Sequence, residues 1–134
     1  MSYQDIHTQM VARLTKPGED ILKTLTASTT NLWHLATGVA GEAGELLDAI
    51  KKAAIYNKPL DVENVLEEMG DLEFYLEGLR QALGVEREHV LHANYRKLAV
   101  RYQGLIYSDQ AAQQRADKID SDKFTIDEVN NGTA

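Results

Sequence analysis

Two long helical patterns separated by a short turn constrain this chain most, because each carries a pair of acidic residues three positions apart. From about Thr30 to Ile55, and again from Val62 to Leu83, apolar residues recur at helical spacing, while Tyr56-Asn57-Lys58-Pro59 reads as the turn between them. Asp61 supplies an N-cap for the second helix and Gly84 a glycine to end it. So short a link favours antiparallel neighbours. Glu42-x-x-Glu45 on the first helix would then face Glu68-x-x-Asp71 on the second, each pair spread only about 60° around its helix. Four converging carboxylates repel unless something positive stands between them, and left unpaired in a buried layer they cost several kcal/mol per ion. They offer oxygen alone, which suits two or more Mg²⁺ or Mn²⁺ ions rather than Zn²⁺ and points to phosphate chemistry.

The remaining chain also reads as helix. An amphipathic stretch from Tyr3 to Leu14, with Ile6, Met10 and Leu14 on one face, ends at Lys16-Pro17-Gly18, and a short piece from Glu19 to Leu25 leads into a Ser/Thr cluster. A further helix is expected from about Glu86 to Tyr102, exposing Asn94, Lys97 and Arg101 on one face. Beyond Gln103 the periodicity fades, and from Asp117 the chain is polar. The expectation is an all-α protein, a four- to five-helix bundle over residues 1–116 with a polar arm at 117–134 and the active site between the two acidic helices. Gly38, Gly41 and Gly44 interrupt the first acidic helix at a spacing of three. Each costs about 1 kcal/mol relative to alanine, so a close approach beside Glu42 and Glu45 is expected to compensate.

At 134 residues the chain makes one domain, and 14 Lys+Arg against 21 Asp+Glu leave a net charge of −7. That is the wrong sign for capturing a nucleic-acid polymer or an anionic membrane surface, whereas a small phosphorylated substrate can bind where metal ions reverse the local charge. Cysteine is absent, which removes disulfides, thiolate nucleophiles and sulfur-ligated metals. The opening residues MSYQDIHTQM have neither a basic segment nor an apolar run, so a cytoplasmic location is expected.

A triphosphate needs cations for the oxygens that metal ions leave uncovered. Asn94, Lys97 and Arg101 form a polar stripe for this purpose, with Lys51, Lys52 and Lys58 as further candidates. Asn31, Trp33 and His34 precede Glu42 by two to three turns, and His34 stands about 12 Å along the helix from it, the reach of a nucleotide from base to phosphates. They are candidates for base recognition, with a lean to a purine deoxynucleotide such as dGTP. Glu67, Glu73 and Glu77 read as structural or solvent-facing, and Phe74 as packing.

The stretches GEAGELLDAIKK (Gly41 to Lys52), LEEMGDLEFYL (Leu66 to Leu76) and NYRKLAVRY (Asn94 to Tyr102), followed by Ala112-x-x-Arg115, closely resemble the MazG-like nucleotide pyrophosphohydrolases of the all-α NTP pyrophosphatase superfamily. The single-domain length resembles forms common in bacteriophages and bacteria. The resemblance implies metal-dependent hydrolysis of a nucleoside triphosphate to monophosphate and pyrophosphate in nucleotide-pool cleansing or adjustment. It assigns Glu42, Glu45, Glu68 and Asp71 as metal ligands and places Asn94 and Lys97 at substrate-contact positions, with Arg101 matching a basic residue of the same motif. A homodimer or homotetramer that completes the pocket across an interface is also implied, in the host cytoplasm if the chain is phage-encoded. A dUTPase-like enzyme, a phosphoribosyl-ATP pyrophosphohydrolase and a non-catalytic helical module stabilised by metal are the alternatives.

Overall fold

The computed structural model describes residues 1–118, and among them there is helix but no strand. Helices α1 (Tyr3–Leu14), α2 (Gly18–Leu22), α3 (Ala27–Ala54), α4 (Val62–Leu83) and α5 (Arg87–Arg101) are followed by a 3₁₀ turn at Gln103–Leu105, a short α6 (Asp109–Gln114) and a second 3₁₀ turn at Ala116–Lys118. The all-α expectation holds. None of the described helices is long and apolar enough to cross a membrane. Of the expected polar arm only Asp117 and Lys118 fall within the described residues.

Local chemistry explains the boundaries. Ser2 Oγ accepts from the Asp5 N–H at 3.2 Å while the Asp5 carboxylate accepts from the Ser2 N–H at 2.9 Å, a reciprocal cap that starts α1. The same device, Thr26 with Thr29, starts α3 at Ala27, three residues before the expected Thr30. Asp61 caps α4 by accepting from the Asn64 N–H at 3.1 Å. Gly84, left-handed at φ 66°, ends it: the Val85 N–H donates to the Arg80 carbonyl at 3.0 Å and the Gly84 N–H to the Gln81 carbonyl at 3.2 Å. At the start of α5 the His89 Nδ1 accepts from the Glu86 N–H at 3.3 Å.

Helices α3 and α4 pack along their length as an antiparallel hairpin, since Leu35 meets Gly78 and Gly38 meets Tyr75 while Glu42 lies by Asp71. On α3 the covered positions Leu32, Leu35, Val39, Glu42, Leu46, Ala49 and Ala53 alternate three and four residues apart, as do Val65, Glu68, Leu72, Tyr75 and Leu79 on α4. That is the repeat of helices meeting at a shallow angle. Burial is nonetheless shallow, for Ala49, 6 % exposed, is the one apolar residue buried among the described residues. Large apolar side chains on the outer faces of the hairpin, including Leu47, Leu66, Met69 and Phe74, are exposed. Helix α5 packs mainly against the segment that follows it, and an ion pair from Arg87 to Glu73 at 3.4 Å ties its first turn to α4. The chain exposes 11097 Å² in all. A compact monomer of 134 residues exposes about 7,000 Å². The surplus of about 4,000 Å² exceeds the roughly 2,600 Å² that the sixteen residues beyond 118 can present at most.

Candidate metal centre

The hairpin carries two carboxylates into its own seam. Glu42 sits between Val39 and Leu46 in the α3 repeat, and Glu68 between Val65 and Leu72 in the α4 repeat, where apolar residues otherwise prevail. Carboxylate oxygens of Glu42, Glu68 and Asp71 lie within 4.8 Å of one another, the first two half-buried and Asp71 exposed at the rim. Glu45, one turn beyond Glu42, is exposed and stands outside this trio. Its charge is still felt: burial, then the charges of Glu45, Glu42, Asp71 and Glu67, push the Glu68 carboxyl above the ordinary glutamate range.

Among the described residues no ion pair reaches Glu42, Glu45, Glu68 or Asp71. The lysines on the same helix are engaged elsewhere. Lys51 and Lys52 pair with Asp48 at 2.7 and 3.1 Å, holding the Asp48 carboxyl below its usual range, so Lys52 has a partner on its own helix. An octahedral Mg²⁺ with oxygens at about 2.1 Å places trans ligands about 4.2 Å apart, and paired ions sit about 3.5–4 Å apart. A trio lying within 4.8 Å and offering only oxygen is of the size that one ion or a bridged pair needs.

The other expected site residues are distributed along the molecule. Asn31, Trp33 and His34 occupy the first half of α3 and are exposed, with the His34 ring edge-on to Tyr75 at 6.3 Å. Asn94 and Lys97 are exposed on α5, and among the described residues no hydrogen bond or ion pair joins them to the acidic trio. Arg101 has an internal partner: its Nε and one terminal nitrogen donate to the two Asp117 carboxylate oxygens at 2.6 and 2.8 Å. The Asp117 side chain is only 2 % exposed, and the guanidinium holds its carboxyl down at about 2. This fork fastens the Ala116–Lys118 turn to α5. Of the three regularly spaced glycines, Gly38 meets the Tyr75 ring, whereas Gly41 and Gly44 border open space, so the close approach expected beside Glu42 and Glu45 is not made among the described residues. The i, i+3 spacing put Glu42 and Glu68 on facing helices but did not separate Glu42 and Glu68 in the seam from Glu45 and Asp71 on its exposed rim, nor find Tyr75 against Gly38. Counting the three-four alternation along each helix finds them.

A family model, described as the MazG nucleotide pyrophosphohydrolase domain, matches residues 31–106, a span that takes in α3 from Asn31 onward and all of α4 and α5. Searches of curated proteins and of solved structures found no match. The matched span is more than half of the chain and contains every carboxylate of the hairpin cluster, and on that ground the chain belongs to the MazG nucleotide pyrophosphohydrolase family.

Proposed function

We propose that this chain hydrolyses nucleoside triphosphates between the α- and β-phosphates, releasing monophosphate and pyrophosphate, with Mg²⁺ or Mn²⁺ held by Glu42, Glu45, Glu68 and Asp71. The observation that carries the reading is the carboxylate trio set in an apolar seam without a cationic partner, inside the span matched by the family. Those carboxylates would hold such ions between α3 and α4, and the ions would supply positive charge for the phosphate oxygens and acidify a water for attack on phosphorus. The carboxylate oxygens not taken up by an ion would accept the proton of the attacking water. Asn94 and Lys97 donate to the remaining phosphate oxygens, while Arg101 holds the end of α5 through Asp117. Asn31, Trp33 and His34 line the base end, which favours a purine such as dGTP.

Because α5 packs on its own continuation rather than along the hairpin, Asn94 and Lys97 reach an acidic cluster by crossing to a second copy. The exposed outer faces of α3 and α4 and the surplus surface support a homodimer or homotetramer of this kind. The working unit includes the Ala116–Lys118 turn that Asp117 fastens to α5, rather than ending at residue 116 as the sequence suggests. Its partner is a small triphosphate rather than a nucleic-acid polymer or a membrane, and its setting is the cytoplasm, where it cleanses or adjusts the nucleotide pool.

Incubation with Mn²⁺ and a panel of ribo- and deoxynucleoside triphosphates, including dUTP and phosphoribosyl-ATP, tests the reading. Monophosphate and pyrophosphate should appear in equal amounts. If Mn²⁺ raises the melting temperature but no triphosphate yields pyrophosphate, the chain is a metal-stabilised helical module instead.

A further inference from the structure

Two reciprocal notches join α3 to α4. A methyl group added at Gly38 would fall within the van der Waals envelope of the Tyr75 ring, 2.6 Å from Cγ and closer still to Cδ1 and Cε1. One added at Gly78 would stand 2.7 Å from Leu35 Cδ2. Carbon atoms in ordinary contact keep about 3.5–4.0 Å. Each helix thus gives up a side chain where the other inserts one, at positions one turn apart along the same seam.

We infer that the Gly38–Tyr75 notch is a positioning device that sets the register and spacing of the acidic cluster, an inference that rests on the metal reading above. Gly38 precedes Glu42 by four residues on α3, and Tyr75 follows Asp71 by four on α4, so the notch adjoins the cluster at a distance of one turn, about 6 Å. The Tyr75 ring has little room to swing aside: Phe74 meets it edge-on at 5.2 Å and His34 at 6.3 Å. Extra volume at residue 38 must therefore push the helices apart. The carboxylate oxygens lie within 4.8 Å of one another, and trans ligands of a Mg²⁺ ion stand only about 4.2 Å apart, so moving the helices apart takes them out of joint reach. Among the described residues Gly41 and Gly44 face open space and do not set the spacing of the helices.

Calorimetric Mn²⁺ titration of the full chain, with helix content followed by circular dichroism on the metal-free protein, tests the inference. Gly38→Ala should weaken Mn²⁺ binding about 10- to 100-fold, as loss of support for metal ligands does, while helix content stays the same or rises because alanine is the better helix former. Gly38→Ala combined with Tyr75→Leu should regain most of the lost affinity, because the shorter and more flexible side chain makes room for the methyl. Unchanged affinity in Gly38→Ala, or a double variant no better than the single one, overturns the inference. If Gly38→Ala loses its helix content, Tyr75→Leu alone decides: without its knob the register loosens and affinity should fall, and retained affinity overturns the inference. Wild-type protein that binds no Mn²⁺ removes the metal reading and this inference together, whereas wild type that binds, with variants that bind equally well, removes the inference alone.

Discussion

Glu68 lies in a helix seam with like charges on every side, and the strain is felt before any ion arrives. Its carboxyl is raised by burial and by the charges of Glu45, Glu42, Asp71 and Glu67. A carboxyl that titrates higher in the folded state binds its proton more tightly there, so the metal-free protein loses stability as pH rises from the ordinary glutamate value through the folded one. Glu68→Gln should therefore melt higher than wild type at neutral pH in the presence of a chelator, the gap closing as the solution is acidified, and it should bind Mn²⁺ more weakly. A lower chelated melting temperature in scanning fluorimetry would count against the seam placement. Asp117 has the opposite sign. Its carboxyl is lowered from 3.8 to about 2 by Arg101, so the pair contributes fully above the ordinary value and is lost as pH falls from 3.8 toward 2. Asp117→Asn should melt below wild type at pH 7, with the difference vanishing near pH 2; equal melting at pH 7 makes the fork incidental. The carboxylates were legible in the sequence because i, i+3 spacing is a local rule, and the Asp117 partner was not, because fifteen aperiodic residues separate it from Arg101.

Helices announced by capping residues and periodicity stand where the sequence places them: α1 at Tyr3–Leu14 and α4 at Val62–Leu83. The start of α3 was harder to read, since Thr26-x-x-Thr29 looks like the rest of a Ser/Thr cluster until the two hydroxyls are seen capping each other's backbone. Helix α6 escapes periodicity because its six residues make under two turns, although Ser108, which accepts from the Ala111 N–H at 3.2 Å, marks its start. If Asp61 sets the start of α4, Asp61→Ala should cost about 1 kcal/mol in urea unfolding, the usual loss for an N-cap. Gly84→Ala should cost about as much again or more, since its φ of 66° suits glycine. An unfolding midpoint unmoved by both changes would mean that the hairpin ends are frayed and that packing alone fixes α4.

At the scale of the whole molecule, an acidic site lies open on a two-helix hairpin while its expected phosphate clamp, Asn94 and Lys97, sits on a helix that packs elsewhere. Spacing within α5 made the clamp legible as a stripe, but the direction in which α5 leaves the hairpin depends on tertiary contacts, such as the pairing of Glu73 with Arg80 and Arg87, that no local pattern reports. If the clamp acts on a second copy, defects on the two elements complement each other. Glu68→Gln should bind metal more weakly, and Lys97→Ala should raise KM so that kcat/KM falls about 10- to 150-fold, the worth of a charge-assisted contact of about 1.5–3 kcal/mol. Unfolded together and refolded at equal concentration, the two variants form mixed dimers in about half of the population, each with one site that joins an intact cluster to an intact lysine. Activity at low substrate should then recover to about a quarter of wild type, well above either parent. Were Lys97 to serve the cluster of its own chain, every site in the mixture would keep one defect, and activity would stay at the mean of the two parents.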